Sequence, residues 1–398
     1  MSENQRVRRC AAVSLQAEDR MTLDFAALLG GREAVRITQV WQANAAHLGH
    51  ALELDAAMVD ALGRISDSRW TPRTDVAAAI GEDRLRGLID LGLVLVEADD
   101  ALPHRQDQRL RDIQWHSLAA VGHMFSRWSG VDSVASQNES RIRSTEDLIA
   151  EFGPPPPHFH TRPDAHAREP LTRPPPSDLD GLMARRATCR NFDTDSALLR
   201  DDLGALLHRA FGVQGRDELA PGAVALKKNH PSGGGLHPLE AYLIVQNVEG
   251  MEAGLYHYNV EAHAIDLLRG LAAADARALA RSAVAGQEYF SDAPVLLVIA
   301  ARFARSFWKY RNHPKIYRAI LLEAGHASQN LYLAATELGL GAFVTAAINE
   351  VEIEQAFGLD PMQEGVLAVC GFGARLSNKT TIELDPQNAV WDDAGRLR

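Results

Sequence analysis

The sequence predicts an α+β protein in two units, a small winged-helix-like region followed by a larger domain of helices wrapped on a mixed sheet. Three observations carry this reading. Amphipathic helical periodicities alternate along the chain with short β-branched or aromatic runs. A proline-rich run at 153–178 divides the chain, because proline fixes φ and withholds amide donors, so neither helix nor central strand runs through it. The 398 residues, 46% apolar and 23% charged, are enough for two or three hydrophobic cores. The expected organisation is an N-terminal region at 1–152, a linker at 153–178 and the larger domain at 179–398.

In the first unit Leu52, Met58, Val59, Leu62 and Ile65 space as a helix, 83–93 as a second helix, and 93–96 as a strand. That order resembles a winged helix. No Lys/Arg-rich recognition helix occurs there, and 41 Lys+Arg against 52 Asp+Glu give a net charge of -11, so nucleic acid is not an expected partner. In the second unit helices are expected over 179–190, whose end is basic, and over 197–211. Strands are expected at 241–245, 254–258, 295–300 and 365–370. Residues 318–338 form a helix apolar around much of its circumference, including Ile320, Leu321, Leu322, Ala324 and Leu331. Such a helix needs cover from its own domain or from a second copy, so a homodimer is expected.

Cys10, Cys189 and Cys370 are far apart and odd in number, which fits reduced thiols in a cytoplasmic protein and offers no CxxC metal pair. The basic N-terminus lacks the apolar core of a signal peptide, and no run of about 20 apolar residues occurs, so neither secretion nor membrane insertion is expected.

Several segments could carry chemistry. Residues 185–192 read RRATCRNF, and three arginines beside a threonine suit a phosphate, since a guanidinium donates paired hydrogen bonds and stays charged; a solvated basic helix end is the alternative. Residues 230–238, HPSGGGLHP, form a glycine-rich loop that lets backbone amides approach a ligand, or else a tight turn; the GK[ST] ending of a triphosphate loop is missing. Lys309-Tyr310, within FWKYR, offers an acid/base pair or an aromatic-basic surface patch. His326, Gln329 and Asn330 take polar slots on the buried helix, and with no second ligand at i+4 from His326 no metal site is expected.

Four segments in one order then resemble a known family: 186–192 (RATCRNF), 231–240 (PSGGGLHPLE), 254–270 and 323–343. Together they are similar to the FMN-dependent nitroreductase-like superfamily, and most to its SagB-type branch. Members of that branch oxidise azoline rings in ribosomally made, modified peptides, and a subgroup is described as peptide maturation dehydrogenases. The likeness spans about residues 179–376. It implies a nitroreductase-like fold with FMN as cofactor, held through phosphate and ribityl chain by Arg186, Thr188 and Arg190. It further implies that Pro231, Ser232 and Gly233 reach the flavin from the partner subunit, that Gln287 contacts its polar atoms, and that Val344, Thr345, Ala346 and Ala347 lie against the ring. Arg375 and Lys379 would be late phosphate contacts. Lys309 and Tyr310 correspond to the family's acid/base pair, which aromatisation requires because a hydride leaves to the flavin and a proton leaves the neighbouring carbon. Thr188 stands where serine is usual, Ala187 where a basic residue is common, and Ala347 where glycine is frequent.

The implied partners are a modified precursor peptide and a cyclodehydratase complex. Residues 115–127 resemble a helix that precedes the domain in this branch, which leaves 33–100 as a peptide-recognition module, a lid or a dimerisation arm. Two other functions remain open at this point: NAD(P)H-driven reduction of a nitroaromatic, quinone or dehydroamino acid, and a non-catalytic peptide-binding scaffold.

Overall fold

A computed structural model describes residues 5–160 and 162–398. The larger domain is built on six strands that pair antiparallel in the order Ala264–Gly270, Gly254–Asn259, Leu239–Val245, Val295–Arg302, Glu364–Gly373, Gly341–Thr345. A parallel bridge from Thr188 to Ala342 extends the last edge and makes the sheet mixed. The central strand reads VLLVIAAR and is buried along nearly its whole length, as a strand covered on both faces must be. Side chains alternate across a strand, so Val295, Leu297 and Ile299 enter one core while Leu296, Val298 and Ala300 enter the other.

The first core is closed by the helices Arg200–Phe211 and Ile316–Glu337, through Leu206, Leu207, Ile320, Ala327 and Leu331 among others. The second is closed by Ala273–Ala283 and Glu350–Phe357. The long helix Ile316–Glu337 buries one face only. Leu321 and Leu322 remain 43% and 65% exposed, and His326 and Gln329, which take polar slots of the helix, lie on this outer face. No helix among the described residues is long and apolar enough to cross a membrane.

The helix expected over 179–190 is shorter, Asp178–Arg185, opened by a Ser177–Asp180 capping box. Arg186 is already extended, and the Cys189 N–H donates to the Ala342 carbonyl at 2.8 Å. Sheet pairing therefore takes over where helical spacing of Arg186 and Arg190 predicts another turn. The hairpin Val213–Ala220 with Ala223–Lys228 and the strand Ala264–Gly270 escape sequence reading because both faces are largely exposed, which removes the apolar alternation.

In the first unit, Ala56–Gly63, Thr71–Pro72, Arg73–Ile80, Glu82–Asp90 and Val94–Val96 follow one another as helix, strand, helix, helix, strand, and Arg6–Arg9 pairs between the two strands. Val7, Leu62, Leu85, Leu88 and Leu93 form its core. A second small sheet of Val13–Leu23, Val35–Ala45 and Ala51–Leu54 accompanies it. Residues 153–160 and 162–177 carry neither helix nor strand and are exposed.

Residues 115–133 pack on the larger domain. The Trp115 indole N–H donates to the Met362 carbonyl at 2.9 Å, and its ring centroid lies 4.5 Å from that of Phe303 and 4.6 Å from that of Phe307. In the helix Ser117–Phe125, His123 is buried, with Nε2 donating to the Pro361 carbonyl at 2.8 Å and Nδ1 3.0 Å from the Tyr317 hydroxyl. This cluster braces the helix Phe303–Lys309, which ends on a residue of chemical interest.

Burial lowers the His123 pKa from 6.5 to about 4. The folded state holds the ring neutral while the unfolded chain takes up a proton below pH 6.5, so the stabilisation is complete above 6.5 and is lost as pH falls toward 4. The expected loss across that window is about 3 kcal/mol. Urea unfolding at pH 7 and pH 4 measures it: wild type should lose that much more stability than His123→Gln, and equal pH dependence would contradict the assignment.

Candidate functional site

Arg186, Thr188 and Arg190 form a row along the extended edge segment. Alternation turns these three to one side, half-exposed, while Ala187 and Cys189 are buried on the other. Among the described residues, neither the Arg186 nor the Arg190 guanidinium has a carboxylate partner. Arg186 stands 5.3 Å from the ring centroid of Tyr332, and Arg190 stands 5.8 Å from those of Tyr289 and Phe290. Aromatic faces orient such cations without neutralising them, so both charges stay free for an anion.

Tyr332, absent from the sequence expectations, joins this row to the end of the strand Gly341–Thr345. Its hydroxyl accepts the Val344 N–H at 3.1 Å and lies 3.0 Å from Thr188 Oγ1. Burial raises its pKa, which keeps the phenol protonated and available to share its hydrogen with Thr188. Gln287 is buried, and its amide nitrogen donates to the carbonyls of Val284 at 2.8 Å and Ala347 at 3.0 Å. The amide is thus occupied within the chain, so Gln287 shapes the 344–347 turn instead of offering a free donor.

Arg375 is also engaged. It pairs with buried Glu383 at 2.6 Å and donates to the Ala187 carbonyl at 3.1 Å, while Glu383 accepts the Arg190 N–H at 2.6 Å. Its charge is neutralised, and its place in the fold is to clamp the backbone of the arginine row from behind.

Pro231, Ser232 and Gly233 lie elsewhere. A Cβ built on Gly233 would come 3.3 Å from the Ala319 methyl, near the start of the long helix, whereas Tyr332 sits near its end. Thirteen residues separate these positions, about 20 Å along the axis. Within one chain the glycine loop therefore does not meet the arginine row.

The loop meets Lys309 and Tyr310 instead. At Gly234, where φ is +71°, a Cβ would lie 2.5 Å from the Tyr310 hydroxyl oxygen and 3.2 Å from Lys309 Nζ. Lys309 is exposed on the wall of a cleft of about 710 Å³ that Val224, Gly234, Leu236, Arg305 and Trp308 also line. Gly234→Ala combines left-handed backbone strain with this clash and should displace the pair. It should lower turnover about tenfold or more, as steady-state kinetics would report.

One cluster was invisible to helix-spacing arguments. His230 and His237, at the two ends of the glycine loop, face Glu323 on the long helix, and all three are buried. Their ligand atoms lie within 4.8 Å of one another.

Comparison with known proteins places this geometry in a family. The nitroreductase family matches residues 183–374. The protein MJ1384 of Methanocaldococcus jannaschii, named as a nitroreductase, is 34% identical over 177 residues, covering 44% of this chain and 82% of that protein. The chain belongs to the nitroreductase family. This nitroreductase-family oxidoreductase is also related to two proteins named for peptide processing. The trifolitoxin-processing protein TfxB of Rhizobium leguminosarum bv. trifolii is 36% identical over 36% of this chain and 38% of its own length. The microcin B17-processing protein McbC of Escherichia coli is 32% identical over 46% of this chain and 65% of its own length. The match thus spans less than two thirds of either relative. Among solved structures, the E. coli microcin synthetase McbBCD complex with truncated pro-MccB17 bound is similar at a TM-score of 0.47 and 23% identity, over 67% of this chain and 97% of that one.

Proposed function

We propose that the protein is an FMN-dependent dehydrogenase that aromatises azoline rings in a ribosomally made precursor peptide and works as a homodimer. The observation that carries this reading is the row Arg186, Thr188, Arg190, whose two guanidinium groups pair with no carboxylate among the described residues and stand beside the segment 344–347. A row of this kind fits the phosphate and ribityl chain of FMN, since a phosphate demands fixed cations and a hydroxyl donor. Kinship with two peptide-processing proteins supports the substrate class.

Each residue then has a task. Arg186 and Arg190 hold the phosphate, Thr188 donates to the cofactor's polar chain, and the backbone of Val344, Thr345, Ala346 and Ala347 lines its ring. Bound FMN supplies the hydride acceptor. Lys309 or Tyr310 takes the proton from the carbon next to the departing hydride, so the azoline loses two hydrogens and becomes an azole. The cleft beside Lys309 receives the ring-bearing peptide, and the apolar rim of Leu236 and Trp308 suits a flat heterocycle. Incubating FMN-loaded protein with a thiazoline-containing peptide in air should give a product lighter by two hydrogens. Steady NAD(P)H oxidation with nitro or quinone acceptors, with no azole from such peptides, would overturn the reading in favour of a reductase.

The separation of the glycine loop from the arginine row supports the homodimer. Antiparallel contact of two long helices through Leu321 and Leu322 would carry the Pro231–Ser232–Gly233 segment of one chain toward the arginine row of the other. Light scattering should give about twice 43.5 kDa. Leu322→Glu should yield a monomer that no longer retains FMN; a monodisperse holo-monomer of wild type would contradict the arrangement.

A further inference from the structure

The His230, His237 and Glu323 cluster takes no part in the reaction just described. From its geometry we infer that these three side chains bind one divalent first-row transition ion, which fastens the glycine loop to the long helix. The residues are 4%, 8% and 2% exposed, so whatever neutralises Glu323 must itself be buried. Glu323 Oε1 lies 3.5 Å from His237 Nδ1 and 3.9 Å from His230 Nδ1. Those distances exceed the roughly 2.7–2.9 Å of a charge-assisted hydrogen bond. They are close to the ~3.4 Å separation of two ligands that each stand about 2.1 Å from a tetrahedral ion.

The hydrogen bonds around the cluster strengthen the case. His237 Nε2 lies 3.1 Å from the Leu226 carbonyl, which can only accept, so this nitrogen carries the hydrogen. In a neutral ring Nδ1 then presents a lone pair to a carboxylate oxygen, and two acceptors face each other. Among the described residues Glu323 Oε1 and His237 Nδ1 both lack a hydrogen-bond partner, and so does His230 Nε2, whereas His230 Nδ1, the nitrogen 3.9 Å from Glu323, lies 3.4 Å from the Pro231 carbonyl. Unpartnered buried acceptors are costly, and a cation between Glu323 Oε1 and His237 Nδ1, with one His230 ring nitrogen within 4.8 Å, removes that cost for the facing pair. A ring nitrogen tied to a backbone carbonyl is also the usual outer support of a metal-bound histidine. Lys228 is buried nearby, yet among the described residues it makes no ion pair with Glu323.

The loop is shaped to present these ligands. His237 adopts a left-handed φ of +46°, uncommon for a residue with a side chain, and its N–H donates to Ser232 Oγ at 2.8 Å. The loop between the two histidines is thereby closed on itself, with Gly234 against Tyr310. Two nitrogens and one carboxylate oxygen leave a fourth position open and favour zinc or cobalt over magnesium or calcium.

The test uses the untagged full-length protein, stripped with a chelator and then equilibrated with Zn²⁺ or Co²⁺. Elemental analysis after gel filtration should give one ion per chain, the cobalt form should show the visible bands of a four-coordinate site, and zinc should raise the melting temperature. His237→Ala and Glu323→Gln should each weaken zinc binding more than about 100-fold, since losing even an outer support of a ligand costs 10- to 100-fold. Less than about a tenth of an equivalent on wild type would overturn the assignment in favour of a protonated His237 paired with Glu323. One equivalent retained by a folded Glu323→Gln variant would place the ion elsewhere. Because wild-type stoichiometry is read directly, a variant that fails to fold does not shield the inference, and none of these readouts depends on flavin or on turnover.

Discussion

Replacing Lys309 by alanine is expected to lower the rate of the proposed azoline aromatisation by about 10²- to 10⁴-fold and to leave FMN binding intact, the range for removal of a positioned proton acceptor. The two effects are expected to separate because the proposed phosphate and ribityl contacts are Arg186, Thr188 and Arg190, whereas Lys309 lies at the glycine loop, beside Gly234. Tyr310→Phe tests the partner group with little change of shape. Its phenol stands where a Cβ on Gly234 would fall, so deleting only the oxygen relieves no packing and creates no large cavity. Single-turnover rates with saturating FMN check both variants. Full activity in both would remove the pair from the chemistry and leave an aromatic-basic surface patch.

Arg190→Ala has the second large effect. Its guanidinium is half-exposed, oriented by Tyr289 and Phe290 and, among the described residues, paired with no carboxylate, so alanine removes a charge without stranding a described buried partner. FMN affinity should fall at least about tenfold, or ~1.4 kcal/mol. Solvent access keeps the loss toward the lower end of the about 2–5 kcal/mol found when a buried charge pair is broken. Cofactor binding stabilises the folded state by mass action, so the variant should also lose most of the thermal shift that added FMN gives wild type. Unchanged affinity would return residues 185–190 to a solvated basic segment.

These effects rest on a site that the sequence exposed only in part. Strands 241–245 and 295–300 were legible because a buried strand reads as a continuous apolar run, and the long helix because its apolar directions outnumber one face. Arg186 and Arg190 stand out as residues, but their spacing does not fix their structure, since positions 186 and 190 share a face at helical spacing as well as at strand spacing. Pairing with Ala342, a contact 154 residues away, decides between the two.

What stayed hidden is what only tertiary contact creates. Gln287 and Arg375 carry the right chemistry for direct cofactor contact, yet Val284, Ala347 and Glu383 already hold them, so their part is to fix the turn and the arginine backbone. Tyr332 carries no sequence signal of its own, because only the fold sets its hydroxyl between Thr188 and Val344. The histidines of the glycine loop became a cluster only when the fold brought them to Glu323, some 86 residues from His237. No periodicity within a single element reports such a meeting.

The central claim is that the row Arg186, Thr188, Arg190 holds FMN in a dimeric oxidoreductase. Titrating the untagged protein with FMN, removing free flavin by gel filtration and reading the visible flavin band against protein mass measures it most directly. The account predicts one FMN retained per chain, eluting with the dimer. No flavin band after FMN addition, at protein concentrations where the chain is folded, would contradict it.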